Sequence, residues 1–194
     1  MTSRTPPHPN SYAIPDSPVF AGEYPFSVDP PAALDKLRRF LDAGITSFID
    51  LTEEGELDPY ERVLREEAAR RGVEVEYRRL PIPDMGVPSR ERMAEILDAI
   101  DDACRRGRTV YVHCWGGVGR TGTVVGCHLV RRGMRGDVAL REVAALFATM
   151  SPEKRRANPR SPEVEAQRRF VREWLDGSSP DETTDDPGGG DRVR

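Results

Sequence analysis

Residues 109–113, Thr-Val-Tyr-Val-His, form an unbroken β-branched and aromatic run that stops on Cys114 and drops into "WGGVGRTG", with glycines at 116, 117, 119 and 122. A short strand without polar alternation is covered on both faces, as in the centre of a parallel sheet. Parallel neighbours require crossover connections, so helices must lie on both sides of it. The rest of the chain agrees. Pro31, Leu34, Leu37, Phe40 and Leu41 mark a helix closed by Gly44, and "ITSFIDL" (45–51) reads as a strand. Asp58-Pro59 opens a second helix that Gly72 ends, with Asp58 as cap and Pro59 in the first helical position. "VEVEYRRL" (73–80) alternates like a half-buried strand, and Met93, Ile96, Leu97, Ile100 and Cys104 recur at helical spacing up to Gly107. Further helices are expected over 121–133, 137–148 and 161–175, the last capped by Ser161 with Pro162 behind it. The expected fold is α/β, a mostly parallel central sheet flanked by helices on both faces.

The 194 residues fit one domain, expected over 12–176, with a flexible segment at 1–11 and a disordered acidic tail at 177–194. A net charge of −4 and pI near 5.5 argue against nucleic-acid or anionic-membrane partners. Mean hydropathy is −0.60, no apolar run reaches membrane length, and the N-terminal residues lack the apolar core of a signal peptide. Three cysteines, Cys104, Cys114 and Cys127, do not suggest a disulfide framework. A cytoplasmic monomer is expected.

Cys114 falls at the carboxyl end of a parallel strand, the edge at which α/β sheets bind ligands. The glycines after it let successive N–H groups converge on one point, and the following helix adds the positive end of its dipole. Together they make a cradle for a phosphate-like dianion, which Arg120 closes with a planar fork able to bind two oxygens. The same field favours the thiolate of Cys114, so that a nucleophile lies under the bound phosphorus. Thr121 can donate its hydroxyl to the sulfur.

The His113-Cys114-five-residues-Arg120-Thr121 pattern resembles the signature of cysteine-dependent protein tyrosine phosphatases, in the small dual-specificity-like (kinase-associated-phosphatase-like) branch. The resemblance extends to "LPIPDMGVPS", where Asp84 stands 30 residues before Cys114, and more weakly to "VFAGEYP" (19–25) and residues 161–174. It implies hydrolysis of phosphomonoesters through a phosphocysteine, with protein tyrosine or dual-specificity substrates. Cys114 is then the nucleophile, and the loop Trp115, Gly116, Gly117, Val118, Gly119 and Arg120 holds the phosphate. Asp84 is the general acid, and His113 supports the loop. Asp50 is a competing acid whose neighbours favour a buried structural role. Gln167 invites a water-positioning role, but its spacing from Val164, Phe170, Val171 and Trp174 favours a helix residue. His128, Cys104 and Cys127 read as packed groups, with a redox partnership to Cys114 as the other option. His8 lies apart, no cluster has metal-ligand spacing, and neither metal nor cofactor is expected. The alternatives are an inositol-phosphate or other small phosphoester substrate, sulfur or arsenate chemistry in a similar oxyanion loop, and a non-catalytic phosphate-binding protein.

Overall fold

The computed structural model describes residues 4–27 and 29–174. Five strands and seven helices follow in the order β1 (Ser11–Ala13), β2 (Val19–Gly22), α1 (Pro30–Asp42), β3 (Ile45–Asp50), α2 (Glu61–Arg70), β4 (Glu76–Arg79), α3 (Arg90–Arg105), β5 (Thr109–His113), α4 (Gly119–Arg131), α5 (Gly136–Phe147), α6 (Pro152–Ala157) and α7 (Glu165–Arg172). The sheet order is β1-β2-β5-β3-β4. Only β1 runs antiparallel to its neighbour. The run ending on Cys114 is therefore the central strand.

Alternation along the strands sends side chains to two cores. Ile49, Val110 and Val112 face Met93 and Ile96 of α3, Val124 of α4, Val143 of α5 and Val171 of α7. Phe48 and Tyr111 point the other way, against Leu37 and Phe40 of α1 and Leu64 of α2. Helices thus cover both faces, and no described helix is long and apolar enough to cross a membrane.

Several boundaries differ from the sequence reading. The helix expected from Asp58-Pro59 begins at Glu61, because the Asp58 carbonyl accepts the Tyr24 hydroxyl at 2.8 Å and holds this segment extended. The last helix begins at Glu165 rather than after Ser161. The Ser161 hydroxyl is engaged elsewhere, donating to the Val118 carbonyl at 2.7 Å, and the Ser161–Pro162 peptide is cis. Gln167 caps this helix through its own side chain, whose Oε1 accepts from the amides of Glu163 and Val164. Residues 8–11, read as part of a flexible segment, are tied to the sheet. Asn10 donates to the Glu23 carboxylate at 2.9 Å, Ser151 N donates to Pro9 O, and β1 starts at Ser11. The acidic tail at 177–194 lies outside the described residues.

Glycine shapes α4 as a packing surface. A Cβ on Gly122 would stand 2.3 Å from Ser161 Oγ, and one on Gly126 would stand 2.7 Å from Val171 Cγ1. These positions, with Gly119 against Gln167, form the bed on which the 161–171 segment lies. Gly126→Ala is expected to force α7 outward and cost about 1–3 kcal/mol, read as a lower urea midpoint with an unchanged m-value.

Candidate active site

The loop joining β5 to α4 rests on the end of β2. Gly117 has φ 73°, and a Cβ there would fall 2.3 Å from Gly22 C, so only glycine fits by both conformation and space. Gly116 and Gly119 do not use the left-handed region. The Tyr24 amide donates to the Trp115 carbonyl at 2.9 Å, which fastens the loop from the β2 side. The Ser161 hydroxyl fastens it from the α7 side through the Val118 carbonyl.

Inside the loop the thiol of Cys114 is 3% exposed, and Thr121 Oγ1 donates to its Sγ at 3.1 Å. Arg120 is 2% exposed. Its Nη1 donates to Glu56 Oε2 at 2.7 Å and to the carbonyl of Ile82 at 3.3 Å. Its Nη2 donates to Glu56 Oε1 at 2.5 Å and faces Asp84 Oδ1 at 3.0 Å. Burial works against the Arg120 charge, but the hydrogen-bonded Glu56 carboxylate, Cys114 and Asp84 together outweigh it and keep the guanidinium protonated. The same hydrogen bonds hold the Glu56 carboxyl below the ordinary glutamate range. Glu56 escaped the sequence reading, because a glutamate in an acidic turn carries no mark of its distant partner.

Asp84 reaches Arg120 from a tight turn in which Gly86 N donates to Pro83 O at 2.9 Å. Met85 in this turn has φ 56°, a conformation costing on the order of 1 kcal/mol for a non-glycine residue. Gln167 braces the same turn, donating from Nε2 to the Gly86 carbonyl at 3.0 Å. It is a buried helix residue, and it also lines the pocket.

His113 is fully buried behind the loop, with Nε2 2.7 Å from the Tyr60 hydroxyl. With that hydroxyl donating, the ring proton sits on Nδ1, facing the Cys114 carbonyl at 3.4 Å and Asp50 Oδ1 at 3.9 Å. Burial pushes the His113 pKa down to about 4, against the pull of Asp50. Asp50 is buried among Thr52, Tyr77 and His113, away from the pocket. Burial opposes its charge, but His113 and hydrogen bonds from Thr52 and Tyr77 hold its carboxyl below the ordinary range. His128 and Cys127 are buried in the core and Cys104 packs partly against it. All three cysteines are free thiols.

Cys114, Arg120 and Asp84 line one open cavity of about 210 Å³ with Trp115, Gly116, Val118, Gly119 and Gln167. Met85, Asn158 and Glu163, none of which stood out in the sequence, complete its rim. A buried thiol, a guanidinium beside it and a carboxylate at the mouth can hold a tetrahedral oxyanion and exchange protons with it.

A model of the dual-specificity-type phosphatase domain of the Swiss Army Knife proteins matches residues 26–171. The chain belongs to this family. A tyrosine phosphatase homologue of Invertebrate iridescent virus 3 is 32% identical over 123 residues, 61% of this chain and 45% of that protein. The chain spans about half the length of the curated relatives it matches. The active form of Tk-PTP is 32% identical with a TM-score of 0.61, the match covering 85% of this chain and 95% of that one. Kinase-associated phosphatase shares the fold at 19% identity and TM-score 0.59, over 79% of this chain and 83% of that one.

Two outcomes are expected of this phosphatase domain. Glu56→Gln removes the carboxylate that holds both Arg120 Nη atoms, leaving Asp84 as the remaining anion, and should cost about 1–3 kcal/mol of unfolding free energy. Because an oxyanion then supplies the missing charge, phosphate should raise the Tm of the variant more than that of the wild type. The second concerns pH. His113 and His128 both have folded pKa values lowered to about 4 by burial, and His128 has neither ring nitrogen hydrogen-bonded among the described residues. Unfolded, each binds a proton at about 6.5, so their stability contribution is complete above that pH and is lost as pH falls toward 4. The loss should reach about 2–3 kcal/mol for each. Urea titrations across this window should show it, with a shallower slope for His128→Leu.

Proposed function

We propose that the protein hydrolyses phosphomonoesters through a phosphocysteine, with phosphorylated proteins as the preferred substrates. The observation that carries this reading is the convergence of Cys114, Arg120 and Asp84 on one cavity. In the first step Cys114 Sγ attacks phosphorus as the thiolate, the S–P bond forms, and the bond to the leaving oxygen breaks. The amides of residues 115–120 and the Arg120 fork hold the three equatorial oxygens, taking over the position Asp84 now occupies on Nη2. Asp84 gives its proton to the departing oxygen. In the second step water attacks the phosphocysteine, Asp84 receives its proton, and the thiolate leaves. The Thr121 hydroxyl, 3.1 Å from Sγ, stabilises the sulfur as charge returns to it.

His113 positions the loop rather than acting as a base, since its ring is neutral and turned toward Tyr60 and Asp50. The three free thiols support a reducing, cytoplasmic setting. Small phosphoesters are a second reading. PTPMT1, a structural neighbour at 22% identity, is solved with PI(5)P. Against it stands the pocket wall, in which Arg120 is the one cationic side chain among the described residues.

Turnover of p-nitrophenyl phosphate should be metal-independent and blocked by vanadate. Cys114→Ser should abolish it, and undiminished turnover in that variant sinks the mechanism. Asp84→Ala should lose about 10²–10⁴-fold on an alkyl phosphate. The loss should be smaller on p-nitrophenyl phosphate, whose leaving group needs no proton.

A further inference from the structure

Beside the phosphate cavity lies a larger hollow of about 590 Å³. Tyr24 and Phe26 wall it from the segment after β2, Glu56, Leu57 and Asp58 from the segment after β3, and Trp115 from the phosphate loop. Trp115 lines both cavities, so the hollow adjoins the place where phosphorus would sit. The Tyr24 hydroxyl joins the two walls by donating to the Asp58 carbonyl at 2.8 Å. Its size falls in the range of small-molecule and side-chain sites.

The lining combines three aromatic rings with two carboxylates and contains no cationic side chain. Trp115 is 61% exposed, an uncovered indole at the edge of a buried thiol. Glu56 is engaged by Arg120, whereas the exposed Asp58 carboxylate pairs with no cation among the described residues. Aromatic faces attract a cation through the ring quadrupole, and a nearby free carboxylate adds charge attraction. Lysine and arginine also carry an apolar stem that covers such a wall while the charged head reaches the acid. A substrate with several phosphates would instead set a second anion against Asp58 and Glu56, a like-charge juxtaposition that disfavours it.

We propose that this hollow is a specificity subsite that accepts a basic side chain adjacent to the phosphorylated residue of a peptide or protein substrate. It rests on the phosphatase reading above and names the substrate class within it.

The test is binding to the Cys114→Ser protein, by calorimetry, of phosphotyrosyl peptides carrying Arg, Ala or Glu within a few residues of the phosphotyrosine. Inositol hexakisphosphate is the polyanionic comparison. The Arg peptide should bind about tenfold more tightly than the Glu peptide. Asp58→Asn and Phe26→Ala, each in the Cys114→Ser background, should reduce that preference to less than about threefold. Asp58→Asn alone should leave p-nitrophenyl phosphate turnover within about twofold of wild type, because this small substrate does not reach the hollow. Equal binding of Arg and Glu peptides overturns the subsite. So does a preference that survives both substitutions, or tighter binding of inositol hexakisphosphate than of the Arg peptide. Absence of p-nitrophenyl phosphate turnover by the wild type strikes at the hydrolytic reading instead, and the peptide comparison still decides the subsite.

Discussion

A single guanidinium collects the mouth of this site. Arg120 is almost wholly buried, and a buried charge must be met by opposite charge and by hydrogen-bond acceptors. Its acceptors come from the segments that leave the carboxyl ends of two strands. Leu51 O and Glu56 follow β3, and Ile82 O and Asp84 follow β4. The residue itself sits in the first turn of α4, after β5. Three consecutive strands of the sheet are therefore closed over one cation. The pocket's shape follows from satisfying that cation as much as from the loop that carries the thiol.

Glycine has two uses in the same stretch of chain. Gly117 allows the loop to lie directly on the backbone of Gly22, which sets the height of Cys114 above the sheet. Gly122 and Gly126 leave room for Ser161 and Pro162 of the loop before α7 and for the Val171 side chain of α7 to pack directly on α4. That approach brings Ser161 to the Val118 carbonyl and Gln167 to the Gly86 carbonyl. The thiol loop and the Asp84 turn are thus braced by one C-terminal segment. A thiol and a carboxylate carried on different loops keep a fixed separation only with this kind of common support.

Charge around the pocket is asymmetric. Within the wall one cation faces the carboxylates of Asp84 and Glu163, and the neighbouring hollow adds Glu56 and Asp58. The pocket wall thus offers one cationic side chain, Arg120, rather than a broad field of positive ones.

The central strand, the thiol at its end, the glycine turn, Arg120, Thr121 and the distance to Asp84 were all legible along the chain. Each is a local pattern: an uninterrupted apolar run, an abrupt glycine cluster, a residue at a strand's carboxyl end. Parallel β architecture with helices on both faces was also expected, from an unbroken apolar strand at 109–113 set among alternating helix and strand patterns. Tertiary structure alone decided what depends on residues distant in sequence. Glu56 looked like one acid among several in "EEGELD" until the fold set it 2.5 Å from Arg120, 64 positions away. Ser161 had the pattern of a helix cap, but packing against Gly122 turned its hydroxyl to Val118 and moved the helix start to Glu165. Local propensity determines where an element can begin. The partners of a buried charge or a buried hydroxyl are set by whichever loops the sheet order brings together, and no local pattern records that order.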